Sequence, residues 1–157
     1  MTTATAFFGR DEYFMRLALR EAERSTGHDD VPIGCVITHS GEVVAAAPNE
    51  RELRGDPTAH AEILALRDAA ARLGGWRLLD TVLYVTLEPC AMCAGAIVLG
   101  RVPRVVYAAA DPKAGAAGSV LDVLGEPTLN HRPDVAGGLL ADEAAEMLRE
   151  FFGLRRK

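Results

Sequence analysis

Two thiols set the frame for this chain. Cys90 and Cys93 stand three positions apart, directly behind Pro89. Ahead of them runs Val82-Leu83-Tyr84-Val85-Thr86, a β-branched and aromatic stretch that reads as a strand. Behind them runs Ala94-Gly95-Ala96-Ile97-Val98-Leu99, which reads as a buried helix. A proline at or near the first helical position suits this break, because its missing N–H is not needed there. The pair therefore falls in the first turn of a helix, where residues i and i+3 face the same way with Cβ atoms about 5–6 Å apart. Both sulfurs can reach one metal ion at about 2.3 Å. The partial positive charge of a helix N-terminus favours thiolate over thiol there.

Two thiolates do not complete a site. The best further ligand is His60, in Pro57-Thr58-Ala59-His60-Ala61-Glu62. It also stands where a loop becomes a helix, with Ile63, Leu66, Ala70 and Leu73 marking an apolar face behind it. One His and two Cys leave the fourth tetrahedral position to water, which is the arrangement of a catalytic zinc and not of a closed structural one. Glu62, two residues past the His, can take a proton from activated water and pass it to a substrate. A closed structural site would want a fourth protein ligand. The unused candidates, Cys35, His28, His39 and His131, have no paired spacing with these motifs.

The rest of the chain reads as one α/β domain. Residues 1–10 are expected to be a flexible tail and 11–157 the folded domain. Asp11 can cap a helix to Arg24 whose apolar face is Phe14, Leu17, Ala18 and Ala22. Val31–Ile37 and Glu42–Ala47 form a hairpin across Ser40-Gly41, because so short a link cannot make a parallel crossover. Cys35, mid-strand, reads as a small core residue. Pro48–Gly55 is expected to be a loop, and Gly74-Gly75 ends the His60 helix. Trp76 reads as packing. Strand, thiol helix and Arg104–Ala109 make a strand–helix–strand step, hence a parallel pair. Asp111–Asn130 is a long loop with a possible short helix at Ser119–Leu124. Val135–Leu139 is expected as an edge strand. Ala141–Arg155 is expected as a final helix with the stripe Leu140, Ala144, Met147, Leu148, Phe151 and Phe152. The expected architecture is three-layer α/β/α around a mixed sheet of about five strands. Ligands bind such sheets beyond the strand ends, where His60 and Cys90 sit at helix N-termini.

Composition closes off several classes. No apolar run reaches the roughly 20 residues of a membrane helix, and the N-terminus lacks a signal-peptide pattern. Three Cys, two of them claimed by metal, argue against a disulfide framework and for the cytoplasm. Net charge is −5, so any RNA contact has to come from local basic patches. Arg155-Arg156-Lys157 is either such a patch or a solvated helix end whose cations complement the dipole.

His60-x-Glu62 with Pro89-Cys90-x-x-Cys93 is the signature of the zinc-dependent nucleoside and nucleobase deaminases, one already attached to base-flipping deaminases. The match extends further. Asp56–Glu62, Tyr84–Ala96, Gly115-Ala116-Ala117-Gly118-Ser119, Asn130-His131-Arg132 and Phe151-Phe152 resemble the bacterial tRNA-specific adenosine deaminases, and the resemblance runs from about Tyr13 to Arg156. It implies a cytidine deaminase-like fold, a homodimer, one zinc per chain, and hydrolysis of adenosine to inosine at the first anticodon position of tRNA. It implies Glu62 as proton shuttle and substrate contacts by Asn49, the Ala61 N–H, Asp111, Lys113, His131 and Arg132. Here Glu50 stands where the family often has a basic residue, and Ala110 where it often has Arg. On the residues alone His131 is either a turn residue or a base-stacking contact. Glu88 is expected to orient its loop by hydrogen bonding. The alternative reading is a deaminase of free guanine, cytosine or cytidine, which would need no RNA-contacting rim.

Overall fold

A computed structural model of the chain describes Phe7 and residues 9–155. Of the tail expected over 1–10, residues 1–6 and 8 lie outside the described residues, as do Arg156 and Lys157. Helix α1 is Asp11–Thr26. Strands β1 (Gly34–His39) and β2 (Glu42–Pro48) follow, then α2 (Arg51–Arg54) and α3 (Ala61–Leu73). The chain continues through β3 (Thr81–Leu87), α4 (Ala91–Leu99), β4 (Arg104–Ala109), β5 (Asp134–Gly137) and α5 (Ala141–Arg155). Among the described residues no helix is long and apolar enough to cross a membrane.

The five strands form one mixed sheet in the order β2-β1-β3-β4-β5. β1 pairs antiparallel with β2 and with β3, whereas β3–β4 and β4–β5 are parallel. Alternation along the strands explains the three layers, since successive side chains point to opposite faces. Cys35, Ile37, Leu83, Val85 and Val105 face α3 and α4. Val36, Tyr84, Val106 and Ala108 face α1 and α5. β1 lies hard against α1: a Cβ at Gly34 would run into the Ala18 carbonyl and the Ala22 amide.

Several local expectations need correction. Asp11 does not cap α1. Arg10 holds that position without a side-chain bond, and the buried Asp11 carboxylate instead receives both Arg104 Nη atoms at 2.9 Å and Tyr84 Oη at 2.7 Å. The 48–55 loop contains the short helix α2. Its Glu52 and Leu53 amides donate to the buried carboxylate of Asp30, at 2.6 and 3.1 Å. No helix forms at Ser119–Leu124; the segment is a tight loop with an isolated bridge between Ala117 and Asp122. His28 is half-buried, with Nδ1 2.7 Å from Asp30. Trp76 is 54 % exposed, with the Arg77 guanidinium 4.3 Å above its ring.

Candidate active site

His60 and Cys90 occupy equivalent places. Each is the N-cap of its helix, extended in φ and ψ, and neither side chain makes a capping bond. The side chain that normally satisfies the first amides is therefore free to act elsewhere, and those amides point outward from two positive helix ends. Cys93 lies one turn into α4 and is buried. The two thiols converge on one ring nitrogen: His60 Nδ1 is 3.6 Å from Cys90 Sγ and 3.5 Å from Cys93 Sγ. All three ligand atoms lie within 4.8 Å of one another. Tetrahedral bonds of about 2.3 Å to sulfur and about 2.05 Å to nitrogen place those two ligand atoms about 3.6 Å apart. The cluster thus already has the spacing of a tetrahedral zinc site, with one vertex left over.

Protonation follows from this crowding. Hydrogen bonding from Cys93, with help from His60, holds Cys90 at about 3, so it is a thiolate. Hydrogen bonding to that thiolate, together with burial, pushes Cys93 well up. His60 is raised chiefly by its bond to Cys90. Glu62, in the first turn of α3, is 4 % exposed, and burial pushes its carboxyl up to about 7. That value suits a group that must both accept and return a proton near neutrality.

Around this centre the other expected residues divide by position. Asn49 is buried. Its Nδ2 donates to the Val31 carbonyl at 3.1 Å, and its Oδ1 accepts the Arg51 amide at 3.3 Å. The next residue, Glu50, donates its amide to the carbonyl of Ala59, the residue before His60. Asp111 and Lys113 follow β4 at the same sheet end, since Glu88 and Ala109 are bonded there. The Asp111 carboxylate is turned into its own loop, accepting the Lys113 and Ala114 amides at 3.0 and 3.3 Å. His131 and Arg132 do not join them. His131 Nε2 sits 2.6 Å from the Val102 carbonyl, ahead of the first residue of β4. The length of β4, about 16 Å at about 3.3 Å per residue, separates that end from the cluster. His131 and Lys113 therefore lie at opposite ends of β4 within one chain. The Arg155 side chain, Arg156 and Lys157 lie outside the described residues.

Cys35 is fully buried on the α3/α4 face, where burial raises its thiol, and it stays out of the cluster. Sequence reasoning missed Asp30 and Ser25. Asp30 holds α2, while Ser25 Oγ donates to the Asn49 carbonyl at 3.0 Å. Neither has a spacing that announces it.

A His–Cys–Cys cluster with a buried carboxyl beside it, at the strand ends of a mixed α/β/α sheet, defines a deaminase. Comparison with known proteins carries this further. Residues 9–156 match the MafB19-like deaminase family. A tRNA-specific adenosine deaminase of Streptococcus pyogenes is 48 % identical over 147 residues, covering 92 % of each chain. That of Bacillus subtilis is 46 % identical over 148 residues, covering 94 % of this chain and 92 % of its own. A structure solved in work on A-to-I editing by tRNA:A34 deaminases superposes with a TM-score of 0.84 at 48 % identity, over 87 % of this chain and 99 % of that one. A guanine deaminase from Nitrosomonas europaea is more distant, at 26 % identity and a TM-score of 0.78 over 98 % of this chain and 87 % of its own. The chain belongs to the MafB19-like deaminases and, among them, to the tRNA-specific adenosine deaminases.

Proposed function

We propose that this chain hydrolyses adenosine to inosine at the first anticodon position of tRNA, releasing ammonia. The buried Glu62 carboxyl beside three ligand atoms with tetrahedral spacing carries the deamination, and the 48 % identity to tRNA-specific adenosine deaminases carries the substrate. His60, Cys90 and Cys93 hold one zinc per chain. When bound, zinc supplies a Lewis acid that makes water a competent nucleophile near neutral pH. Glu62 takes one proton from the attacking water as the water oxygen bonds to C6 of adenine, and returns it to the ring nitrogen. It then takes the second proton from the new C6 hydroxyl and passes it to the amine, so that the C6 carbonyl forms, the bond from C6 to the amine breaks and ammonia leaves. The Ala61 amide, at the positive end of α3, faces charge developing on the base. Asn49 offers the second proton of its amide to the nucleoside.

The base must leave its stack to reach Glu62, and an anticodon loop presents it already unpaired. Asp111 and Lys113 form the rim beside it. Arg132, exposed at the far end of the sheet, is left to contact RNA away from the reacting base. The working unit is a homodimer acting in the cytoplasm. Light scattering on the purified protein checks the pairing of two copies.

The function is tested by incubating the zinc-loaded protein with anticodon stem-loops that differ only in the wobble base, and with free adenosine, guanine and cytidine. Inosine is expected only from the adenosine-bearing stem-loop. Faster turnover of a free base or nucleoside would overturn the reading in favour of a small-molecule deaminase.

A further inference from the structure

Glu88 sits between the strand that leads to the thiols and the thiols themselves, and it is 2 % exposed. Its carboxylate accepts four hydrogen bonds, all from residues 111–119. Oε1 receives the Asp111 amide at 3.0 Å and the Ser119 hydroxyl. Oε2 receives the Ala117 amide at 2.9 Å and the Ser119 amide at 3.1 Å. A carboxylate has about four lone-pair sites, so this one is saturated by a single loop. It has no capacity left to move a proton. Two further contacts tighten the same junction. The Ala116 amide donates to the Pro89 carbonyl at 2.7 Å, one residue before Cys90. At Gly115 a Cβ would collide with the Glu88 carboxyl group, so this approach requires glycine.

The loop held in this way carries Asp111 and the exposed side chains Lys113, Val120 and Leu121. Asp111 shapes it from within, and Glu88 fixes it from below. We propose that Glu88 is a positioning residue for the RNA substrate: it locks the 111–119 loop to the thiol motif, so that the rim flanking the reacting base is preformed relative to His60, Cys90 and Cys93. The inference rests on the tRNA reading above and adds a residue that acts on substrate binding through other residues. Preorganisation of this kind lowers the ordering cost paid on association. Loss of it therefore falls on KM, while the metal and Glu62 keep their chemistry.

Glu88→Gln puts an NH₂ group where N–H and O–H donors converge, so at least one oxygen's pair of bonds is lost. The steady-state readout is inosine from an adenosine-bearing anticodon stem-loop, with bound zinc measured in parallel. KM is expected to rise about tenfold, the loss on association expected when a few rim side chains must be ordered, with kcat within about threefold. Zinc stays at one per chain. Gly115→Ala, which pushes the loop off the carboxylate, reproduces this split. Ser119→Ala removes one side-chain donor and no buried charge, so it folds and raises KM about threefold. In Glu88→Gln, hydrogen exchange should quicken selectively at the Asp111, Ala117 and Ser119 amides. Unchanged KM in all three variants overturns the inference. So does a fall in kcat with loss of zinc, which would make Glu88 a support of the metal motif. A wild-type protein that leaves the stem-loop untouched fails the tRNA reading itself, a different result from wild-type turnover with variants that bind as wild type does.

Discussion

Asp11→Ala should be among the most damaging single changes outside the site. Asp11 is 4 % exposed and opens α1. Its two oxygens receive Arg104 in a fork, Nη1 to Oδ1 and Nη2 to Oδ2 at 2.9 Å, and Oδ1 also receives Tyr84 Oη at 2.7 Å. Arg104 and Tyr84 are themselves buried, on β4 and β3. Truncation removes the carboxylate that forks the buried Arg104 guanidinium. Removing one partner of a buried pair costs about 3–5 kcal/mol, and we expect about 4. Domains are stable by only about 5–15 kcal/mol. At this length the loss lowers Tm by about 8–16 °C. Urea unfolding followed by far-ultraviolet circular dichroism measures it; the sole tryptophan, Trp76, is already 54 % exposed and reports poorly. The double replacement Asp11→Leu with Arg104→Met should recover most of the loss, because exchanging a buried ion pair for apolar residues of similar volume is often neutral or stabilising. Zinc content and turnover per folded molecule should be unchanged. A loss below about 1 kcal/mol in Asp11→Ala would refute the reasoning, since a bond that cheap belongs to a solvent-screened pair.

Glu62→Gln keeps the shape of a buried side chain and should retain zinc while lowering the single-turnover rate by about 10²- to 10⁴-fold; a rate within tenfold of wild type rules out the shuttle. Cys90→Ser should lose most of its metal by elemental analysis, whereas Cys35→Ser, in the core and outside the cluster, should keep it and lose only stability; the reverse pattern would disprove the ligand set. Asp56 is held below the usual carboxylate range by the Thr58 amide and hydroxyl. A depressed carboxyl contributes stability above its unfolded value and loses it as pH falls through the folded one, so Asp56→Asn should flatten the drop in Tm below about pH 4; an unchanged slope would show that this turn does not titrate with folding.

The central β3–α4–β4 step was legible because each of its signals is local. A β-branched run, a proline, thiols at i and i+3 and a terminating Arg101-Val102-Pro103 stand within one stretch of chain. The His60, Cys90 and Cys93 cluster was legible for the same reason, as two short motifs each read from its own spacing. What escaped was set by partners distant in sequence. Asp11 has the chemistry of a cap, and only the fold brings Arg104 to it, 93 residues away. The Arg51–Arg54 helix has no cap of its own, because Asp30 supplies one from 22 residues upstream of Glu52. At Ser119–Leu124 the helix expected from composition loses to Glu88, which takes the Ser119 amide, and to Gly115, whose carbonyl takes those of Val120 and Leu121. His131 and Arg132 form a recognisable motif, yet no local pattern states which end of β4 they will flank.

The placement of the ligands at two helix N-caps has an electrostatic consequence. Each helix end contributes about half a positive charge, so a bare divalent ion would be repelled from a point where two such ends meet. Two thiolates would cancel the charge of a bound divalent ion, and a neutral His60 would add none. A loaded cluster would then be close to neutral, leaving the field of the α3 and α4 ends free to fall on negative charge developing beside it. A set of two His and one Cys would leave the cluster cationic, repelled by both helix ends and competing with the amides for the developing charge. On this account the thiol pair does more than bind. It would let one pair of helix ends serve as stabilising dipoles, consistent with the side chains at both caps, His60 and Cys90, making no capping bonds.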